Sequence, residues 1–305
     1  MHESLLKHCP DFHLYIFAFD DISYTILKSI HPEKTTIISL KEFESKELLE
    51  VKKTRTIAEY CWTCTPSTIS YVIEKFGVPD CTYIDADLQF FADPSILVDE
   101  MISGNKSVLI TEHRFSLLPK LYEEKRAGRF CVQFVTFKNE NESLKVLEKW
   151  ENQCIKWCYS RYEDGKFGDQ KYLEEWPEIY PDVHIVQHQG GGLAPWNVMQ
   201  YRFKDLNTGI LKKSDLQFQP VFFHYQYVKQ VSRGVFDIGW YLIPGNVKRL
   251  FYIPYLKKII QTEEILENGN NNYSQAFSRF RNDSLKNILK TGFKKLTRYN
   301  MLKIN

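Results

Sequence analysis

The chain is short of the features that most often betray a protein's class. No apolar run approaches the roughly 18–20 residues needed to span a bilayer as a helix. The first residues show no basic stretch followed by an apolar one, so no secretory leader is expected and the expected location is cytoplasmic. Glycine is scarce, at 14 of 305 residues, and neither Gly-Lys-Ser/Thr nor a spaced Gly-x-Gly-x-x-Gly occurs, which removes the common phosphate-loop and dinucleotide fingerprints. There is no internal repeat and no low-complexity linker. Seven cysteines are an odd number, and without an export signal reduced thiols are the default. Cys61-x-x-Cys64 and Cys154-x-x-x-Cys158 lie among aromatic residues in segments that read as helices, so buried free thiols are expected rather than zinc ligands.

Net charge is also nearly absent, at +2, but the figure conceals an asymmetry. Residues 281–305 carry seven basic side chains (Arg281, Lys286, Lys290, Lys294, Lys295, Arg298, Lys303) against one acid, Asp283. The remainder is therefore a mildly acidic globule, and a wholly basic nucleic-acid-binding domain is excluded. Apolar residues make up 43% of the chain and charged ones 26%, enough to bury a substantial core.

What is present is an alternation of strand-like and helix-like segments. His13–Phe19, Thr35–Leu40, Cys81–Ile84, Ser107–Thr111, Phe130–Phe137, Val183–Gln187 and Val221–His224 read as strands. Ile22–Ile30, Glu42–Lys53, Thr56–Phe76, a segment opened by Pro94-Ser95, Glu142–Tyr159 and Gly168–Glu175 read as helices. Pro66 marks a break or a new first turn in the third of these, and Trp176-Pro177 is expected to end the last. Leu144, Leu147, Glu151, Cys154 and Cys158 share one helical face and read as core. The alternation predicts an α/β three-layer domain with a mainly parallel central sheet, whose ligands sit beyond the carboxyl ends of the strands. A domain over residues 1–250 with a helical extension over 251–305 is expected.

The most informative stretch is Thr82-Tyr83-Ile84-Asp85-Ala86-Asp87-Leu88-Gln89-Phe90-Phe91, an apolar strand running into Asp-x-Asp. Carboxylates two residues apart on an extended segment point the same way. Their mutual repulsion calls for a cation, and a hard divalent ion, Mg²⁺ or Mn²⁺, would both neutralise them and bridge a diphosphate. A solvated turn of two acids is the plain alternative.

The segment resembles the metal-binding motif of glycosyltransferases with the GT-A fold, which use nucleotide-diphosphate sugars. The similarity extends through Tyr15-Ile16-Phe17-Ala18-Phe19-Asp20-Asp21 with Tyr24, Glu112-His113-Arg114-Phe115, Gly128–Phe134, Gly165–Leu173, Leu193-Ala194-Pro195-Trp196-Asn197 and Phe222-Phe223-His224-Tyr225, about residues 10–230. It is similar to bacterial enzymes of surface-polysaccharide assembly and, more distantly, to glycosyltransferase family eight. That family commonly carries an Arg in the helix before the acidic motif; here only Arg55, at the helix start, stands near that place.

The resemblance implies metal-dependent, hexosyltransferase-like transfer from a nucleotide sugar, with a UDP-sugar favoured, to a glycan or lipid-linked acceptor. It implies nucleotide contacts at Phe19, Asp20 and Tyr24, and metal ligands at Asp85, Asp87 and His224, with Asp85 also facing the donor. His224 ends an apolar run, where a satisfied core histidine is the ordinary reading. Asp169-Gln170 would sit by the reacting sugar. Asp169 would be the general base of an inverting enzyme, or the pair would lie beside the anomeric carbon of a retaining one; a helix cap at Asp169 is the structural alternative. Arg114 would contact the diphosphate or donor sugar, or form a surface ion pair. Gln133 would touch the sugar, and His113 is a weaker candidate. Gly190-Gly191-Gly192 would form a loop over donor or acceptor, with Gly191 against the cofactor, or else a tight turn.

Leu285, Ile288, Leu289, Phe293 and Leu296 recur between lysines after a polar break, a basic amphipathic pattern. It suits an anionic membrane surface, the domain itself or a partner protein. Two other functions stay in view. One is a catalytically silent nucleotide-sugar-binding subunit on the same fold. The other is a phosphotransferase with an Asp nucleophile, against which Gln89 stands where a Thr or Val is usual.

Overall fold

A computed structural model describes residues 1–205, 209–269, 294 and 297–304. The strands are β1 (Leu14–Ala18), β2 (Thr35–Ser39), β3 (Asp80–Ile84), β4 (Leu88–Phe90), β5 (Val108–Glu112), β6 (Phe130–Lys138), β7 (Val183–Ile185), β8 (Arg202–Phe203), β9 (Leu211–Lys213), β10 (Leu216–Phe218), β11 (Phe222–His224), β12 (Lys229–Ser232), β13 (Val235–Asp237) and β14 (Met301–Lys303). The first eight helices are α1 (His2–His8), α2 (Asp21–Ile30), α3 (Leu40–Phe43), α4 (Lys46–Lys52), α5 (Ile57–Phe76), α6 (Ser95–Ser103), α7 (Leu117–Ala127) and α8 (Asn141–Lys156).

The central sheet has the order β3-β6-β5-β7. It is mixed rather than mainly parallel. β3, β5 and β7 point one way and β6 runs against them, so two of the three pairings are antiparallel. The reason lies in the β5–β6 connection. Glu112 at the end of β5 pairs with Phe130 at the start of β6, so α7 is an excursion that returns the chain to the edge it left, not a crossover to the opposite end. β1 and β2 pair in parallel, as alternation predicts.

Helices α5 and α8 cover one face of this sheet. Ile69, Ile73, Val146, Leu147, Trp150 and Cys154 pack on Val108, Ile110, Val132, Val135 and Phe137. The other face, through Leu109 and Phe134, meets Leu97 and Met101 of α6 together with Leu88, Phe90 and Phe222. The β6 run Phe130–Phe137 is buried throughout, as a strand covered on both faces must be. Three layers result, as expected.

Several local readings need correction. Pro66 does not break α5, which runs unbroken for 20 residues behind a Thr56–Glu59 capping box and ends on Gly77 in the left-handed region. Gly168–Glu175 is a 3₁₀ turn over Gln170–Glu175, and Pro177 sits in the first turn of a further short helix, Trp176–Ile179, instead of stopping one. The α7 helix has no counterpart in the sequence reading, because its polar and apolar residues do not separate into a buried stripe. Tyr252, Leu256 and Ile304 share a cluster with Leu193, Phe223 and Phe236, so a boundary at residue 250 falls inside one core. β14 pairs with β13, and Lys294 forms a buried ion pair with Asp237. The amphipathic pattern at Leu285, Ile288, Leu289, Phe293 and Leu296 lies outside the described residues.

Candidate metal centre

The β3 strand ends in a turn, with the Leu88 amide bonded to the Asp85 carbonyl at 3.3 Å, and the chain re-enters a sheet as β4. β11 pairs antiparallel with β4, setting His224 opposite Leu88. The Tyr225 amide then bonds the Asp87 carbonyl at 2.9 Å. This register delivers His224 beside Asp87 although 137 positions separate them in the numbering. One ligand atom each from Asp85, Asp87 and His224 lies within 4.8 Å of the others. His224 Nε2 is 3.1 Å from Asp87 Oδ1 and 3.6 Å from Asp85 Oδ2. It is the one grouping of three or more such residues, among those described, that could hold a metal.

The imidazole is held for that task. His224 Nδ1 and Gln133 Oε1 are 2.8 Å apart. An amide oxygen only accepts, so Nδ1 carries a proton; Nε2–H faces the carboxylates, and a bound cation would replace that proton at Nε2. Gln133 is itself fully buried and donates to Thr111 Oγ1 at 3.5 Å. Its placement follows from the β3–β6 register, in which the Asp85 amide bonds the Gln133 carbonyl at 3.1 Å. Gln133 is thus the positioning partner of His224, with its amide engaged by the imidazole and Thr111. Gln133→Leu should weaken Mn²⁺ binding by about 10–100-fold while leaving the fold intact; calorimetric titration with Mn²⁺ checks this, and an unchanged affinity would remove the orienting role.

Burial alone would lower the His224 pKa, but the Asp87 and Asp85 carboxylates outweigh it and hold the imidazole well above its ordinary value. Burial pushes Asp85 up, and the repulsion of Asp87 adds to it. For Asp87 the His224 imidazolium overcomes burial and the carboxyl falls below its usual range. Such a mutually dependent trio of two hard oxygens and one imidazole fits a divalent ion of the Mn²⁺ or Mg²⁺ kind.

Asp169 is the neighbouring acid. It is buried, and burial followed by the charge of Asp85 raises its pKa to about 7. It makes no side-chain capping bond to the turn it precedes. Trp150 Nε1 fixes its carbonyl at 2.9 Å. Tyr83 donates to Asp85 Oδ1 at 2.9 Å, and the Thr65 hydroxyl lies by both Tyr83 and Asp169. Tyr83 and Thr65 therefore link the two acids. A tyrosine inside a strand and a threonine inside a helix carry no signal of their own in the sequence.

Other candidates are placed differently. Gln170 donates to the Ala127 carbonyl at 2.6 Å, tying α7 down. Arg114 adopts the left-handed backbone region at φ 49°, and its guanidinium donates to the carbonyls of His188 (3.0 Å), Gly191 (3.2 Å) and Val186 (2.5 Å). The three bonds over-determine a costly turn and fix the 186–191 segment; these donors face protein, not a diphosphate. Gly191 is likewise engaged at both backbone groups, since its amide bonds the His188 carbonyl at 3.1 Å, and its Cα faces Leu97 and Val186 in the core. Gly191 thus packs this segment against the core. A Cβ at Gly190 would sit 2.0 Å from the Gln219 carbonyl oxygen, so the glycine run lets this segment lie against the chain entering β11.

Phe19 rests edge-on against Tyr60, with ring centroids 6.2 Å apart. Asp20 caps α2, receiving the Ser23 amide and hydroxyl at 2.7 Å each, which holds its carboxyl below the usual range. Tyr24 lies in the first turns of α2 beneath Lys28. No hydrogen bond or ion pair among the described residues joins this corner to the Asp85–Asp87–His224 group. His113 is buried, bonded to the Gly128 carbonyl at 3.0 Å and stacked on Phe115; burial lowers its pKa to about 3, so it stays neutral. All seven cysteines are free, and burial pushes Cys64 up to about 12, in keeping with inert core thiols.

Fold and site together define an α/β protein with a carboxylate–imidazole centre suited to a divalent cation. No family model matches the chain. It is 30% identical over 283 residues to the uncharacterized protein YfnD of Bacillus subtilis (strain 168), covering 91% of this chain and 89% of that one. It is 29% identical over 239 residues to YfnF of the same strain, covering 75% and 77%. The chain belongs to the family of YfnD. Among solved structures it is similar to mouse xyloside xylosyltransferase 1 in its apo form, with a TM-score of 0.44 and 12% identity over 74% of this chain and 89% of that one. That likeness is too distant to carry a functional argument.

Proposed function

We propose that the protein is a metal-dependent glycosyltransferase that moves a sugar from a nucleotide-diphosphate donor to a hydroxyl of a glycan or lipid-linked acceptor. The observation that carries the reading is the convergence of Asp85, Asp87 and His224, with Gln133 fixing the imidazole tautomer. Mn²⁺ or Mg²⁺ bound there would hold the diphosphate and stabilise the charge left on it when the glycosidic bond breaks. Asp85 and Asp87 supply hard oxygen ligands from one short turn, and His224 supplies the third ligand from a strand locked to the same turn. Asp169, with a pKa near 7, is poised to take the proton of an acceptor hydroxyl at neutral pH. Such a base suits an inverting reaction. Phe19, Asp20 and Tyr24 at the end of β1 are the proposed base-binding corner, and a UDP-sugar is the favoured donor. In this reading the acceptor belongs to surface-polysaccharide assembly and is met at the cytoplasmic face of a membrane.

A panel of nucleotide sugars, read by nucleotide release, tests the proposal. At least one donor should be turned over in Mn²⁺ or Mg²⁺ and not in EDTA. Binding without turnover across the whole panel would overturn it in favour of a silent sugar-nucleotide-binding subunit.

A further inference from the structure

Helix α7 displays apolar side chains that the core does not use. Leu117, Leu118, Leu121 and Tyr122 are 77%, 66%, 74% and 59% exposed. Their spacing, i, i+1, i+4 and i+5, gathers them on one helical face, and Lys125 falls on the same face one turn further on. Four large apolar side chains exposed together are unusual in a protein that meets only water.

The border of this face is aromatic, with charged side chains of both signs beside it. Tyr122, Tyr241 and Tyr299 lie close enough to influence one another's hydroxyls. The Tyr299 ring is 6.1 Å from Trp240, which is exposed beside the exposed Leu242. Below the helix lies a cleft of about 730 Å³ whose lining includes Leu121, Lys125, Arg129 and Lys171 together with Glu124, Glu174 and Glu178. Arg129 and Lys171 pair with Glu112 and Glu174, whereas Lys125 makes no ion pair among the described residues. In the strongly basic stretch 281–305, Lys294 is buried on Asp237 under the Trp240 ring, whereas Arg298, beside Tyr299, is exposed.

We propose that the α7 face, bordered by Trp240 and Leu242, docks on an anionic lipid bilayer. Leucines and a tyrosine on one helical face, tryptophan at the border and basic residues alongside form the pattern of an interfacial helix. Apolar side chains enter the acyl boundary there while cations meet headgroup phosphates. The position is functionally apt. Tyr241 packs on Trp196, and Trp196 packs on His224 with centroids 5.3 Å apart, so the docked face and the candidate metal centre share one aromatic stack. Gln170 ties the last turn of α7 to the turn that begins at Asp169. The inference rests on the proposed glycosyl transfer only in that a lipid-linked acceptor would be met at such a surface.

Vesicle sedimentation tests it without donor or metal, so failure here and failure of the transfer reading are separable. The wild-type chain should sediment with vesicles of phosphatidylcholine and phosphatidylglycerol and not with phosphatidylcholine alone. The double variant Leu117→Ser, Leu121→Ser should lose at least fivefold in bound fraction with an unchanged circular-dichroism spectrum. A Leu118→Trp variant should gain fluorescence that brominated acyl chains quench. Three results would overturn the proposal: no wild-type binding to anionic vesicles; equal binding by wild type and double variant, which would assign the attachment to the basic segment alone; or a dimer seen by light scattering that the double variant dissolves.

Discussion

Asp87→Asn should abolish metal-dependent donor turnover, lowering kcat by at least about 10²–10³-fold. A neutral amide at this position removes one ligand charge and the partner that His224 Nε2 meets at 3.1 Å. The fold should survive, because the Asp87 side chain is 42% exposed and carries no core packing. Its carbonyl bond to the Tyr225 amide is a backbone contact that the substitution keeps. The measurement is nucleotide release over a Mn²⁺ titration, with the melting temperature as a control. Full turnover by the variant at ordinary Mn²⁺ concentrations would remove the metal assignment. Loss of turnover that excess Mn²⁺ restores would locate the defect in affinity.

The second large effect is a divergence between activity and stability at Asp169. Its carboxyl titrates near 3.8 when exposed and at about 7 when folded. Between these values the native state binds the extra proton, so this group makes stability fall as pH rises from about 4 to 7, with the full cost present above 7. Asp169→Asn carries no such cost. The metal-free variant should therefore be more stable than wild type at pH 8, by on the order of 2–4 kcal/mol, and equal to it at pH 4. Transfer by the same variant should fall by about 10²–10⁴-fold if Asp169 is the base. Wild-type activity should rise with pH along a limb at or below 7. Metal neutralises Asp85, the second cause of the raised value, so saturating Mn²⁺ should move that limb to lower pH. Thermal melts in EDTA at the two pH values and a pH–rate profile read both halves. A variant destabilised at pH 8 would show that the carboxylate is anchoring structure.

Asp-x-Asp was visible as a metal candidate because the signal is local: an apolar run, two acids of one orientation, then a second apolar run. His224 carried only the weaker signal of a polar residue ending a strand, and Asp169 that of an acid before a turn. The α8 helix followed from periodicity, which needs no tertiary partner, to within a few residues of its end. Gln133, Tyr83 and Thr65 were out of reach for the opposite reason. Their roles appear only through partners from other elements: Gln133 meets His224 from β11, and Thr65 of α5 meets Tyr83 of β3 and Asp169, while Tyr83 also bonds Asp85. Arg114 shows the converse. A cation after a strand end suits phosphate on chemistry alone, but the left-handed turn at this residue folds its guanidinium onto three carbonyls.

The sequence by itself determined the layering and the acidic turn. Apolar periodicity sets which faces must be buried, and two acids separated by one residue between two apolar runs stay close together; the turn closed by Leu88 on Asp85, not an extended run, sets their direction. Only the tertiary structure decided which histidine would meet those carboxylates, which amide would orient it and which way β6 would run. Those outcomes depend on the pairing of β4 with β11 and of β3 with β6, contacts between residues remote in sequence. A shift of one residue in either register would turn His224 or Gln133 to the opposite face of its sheet.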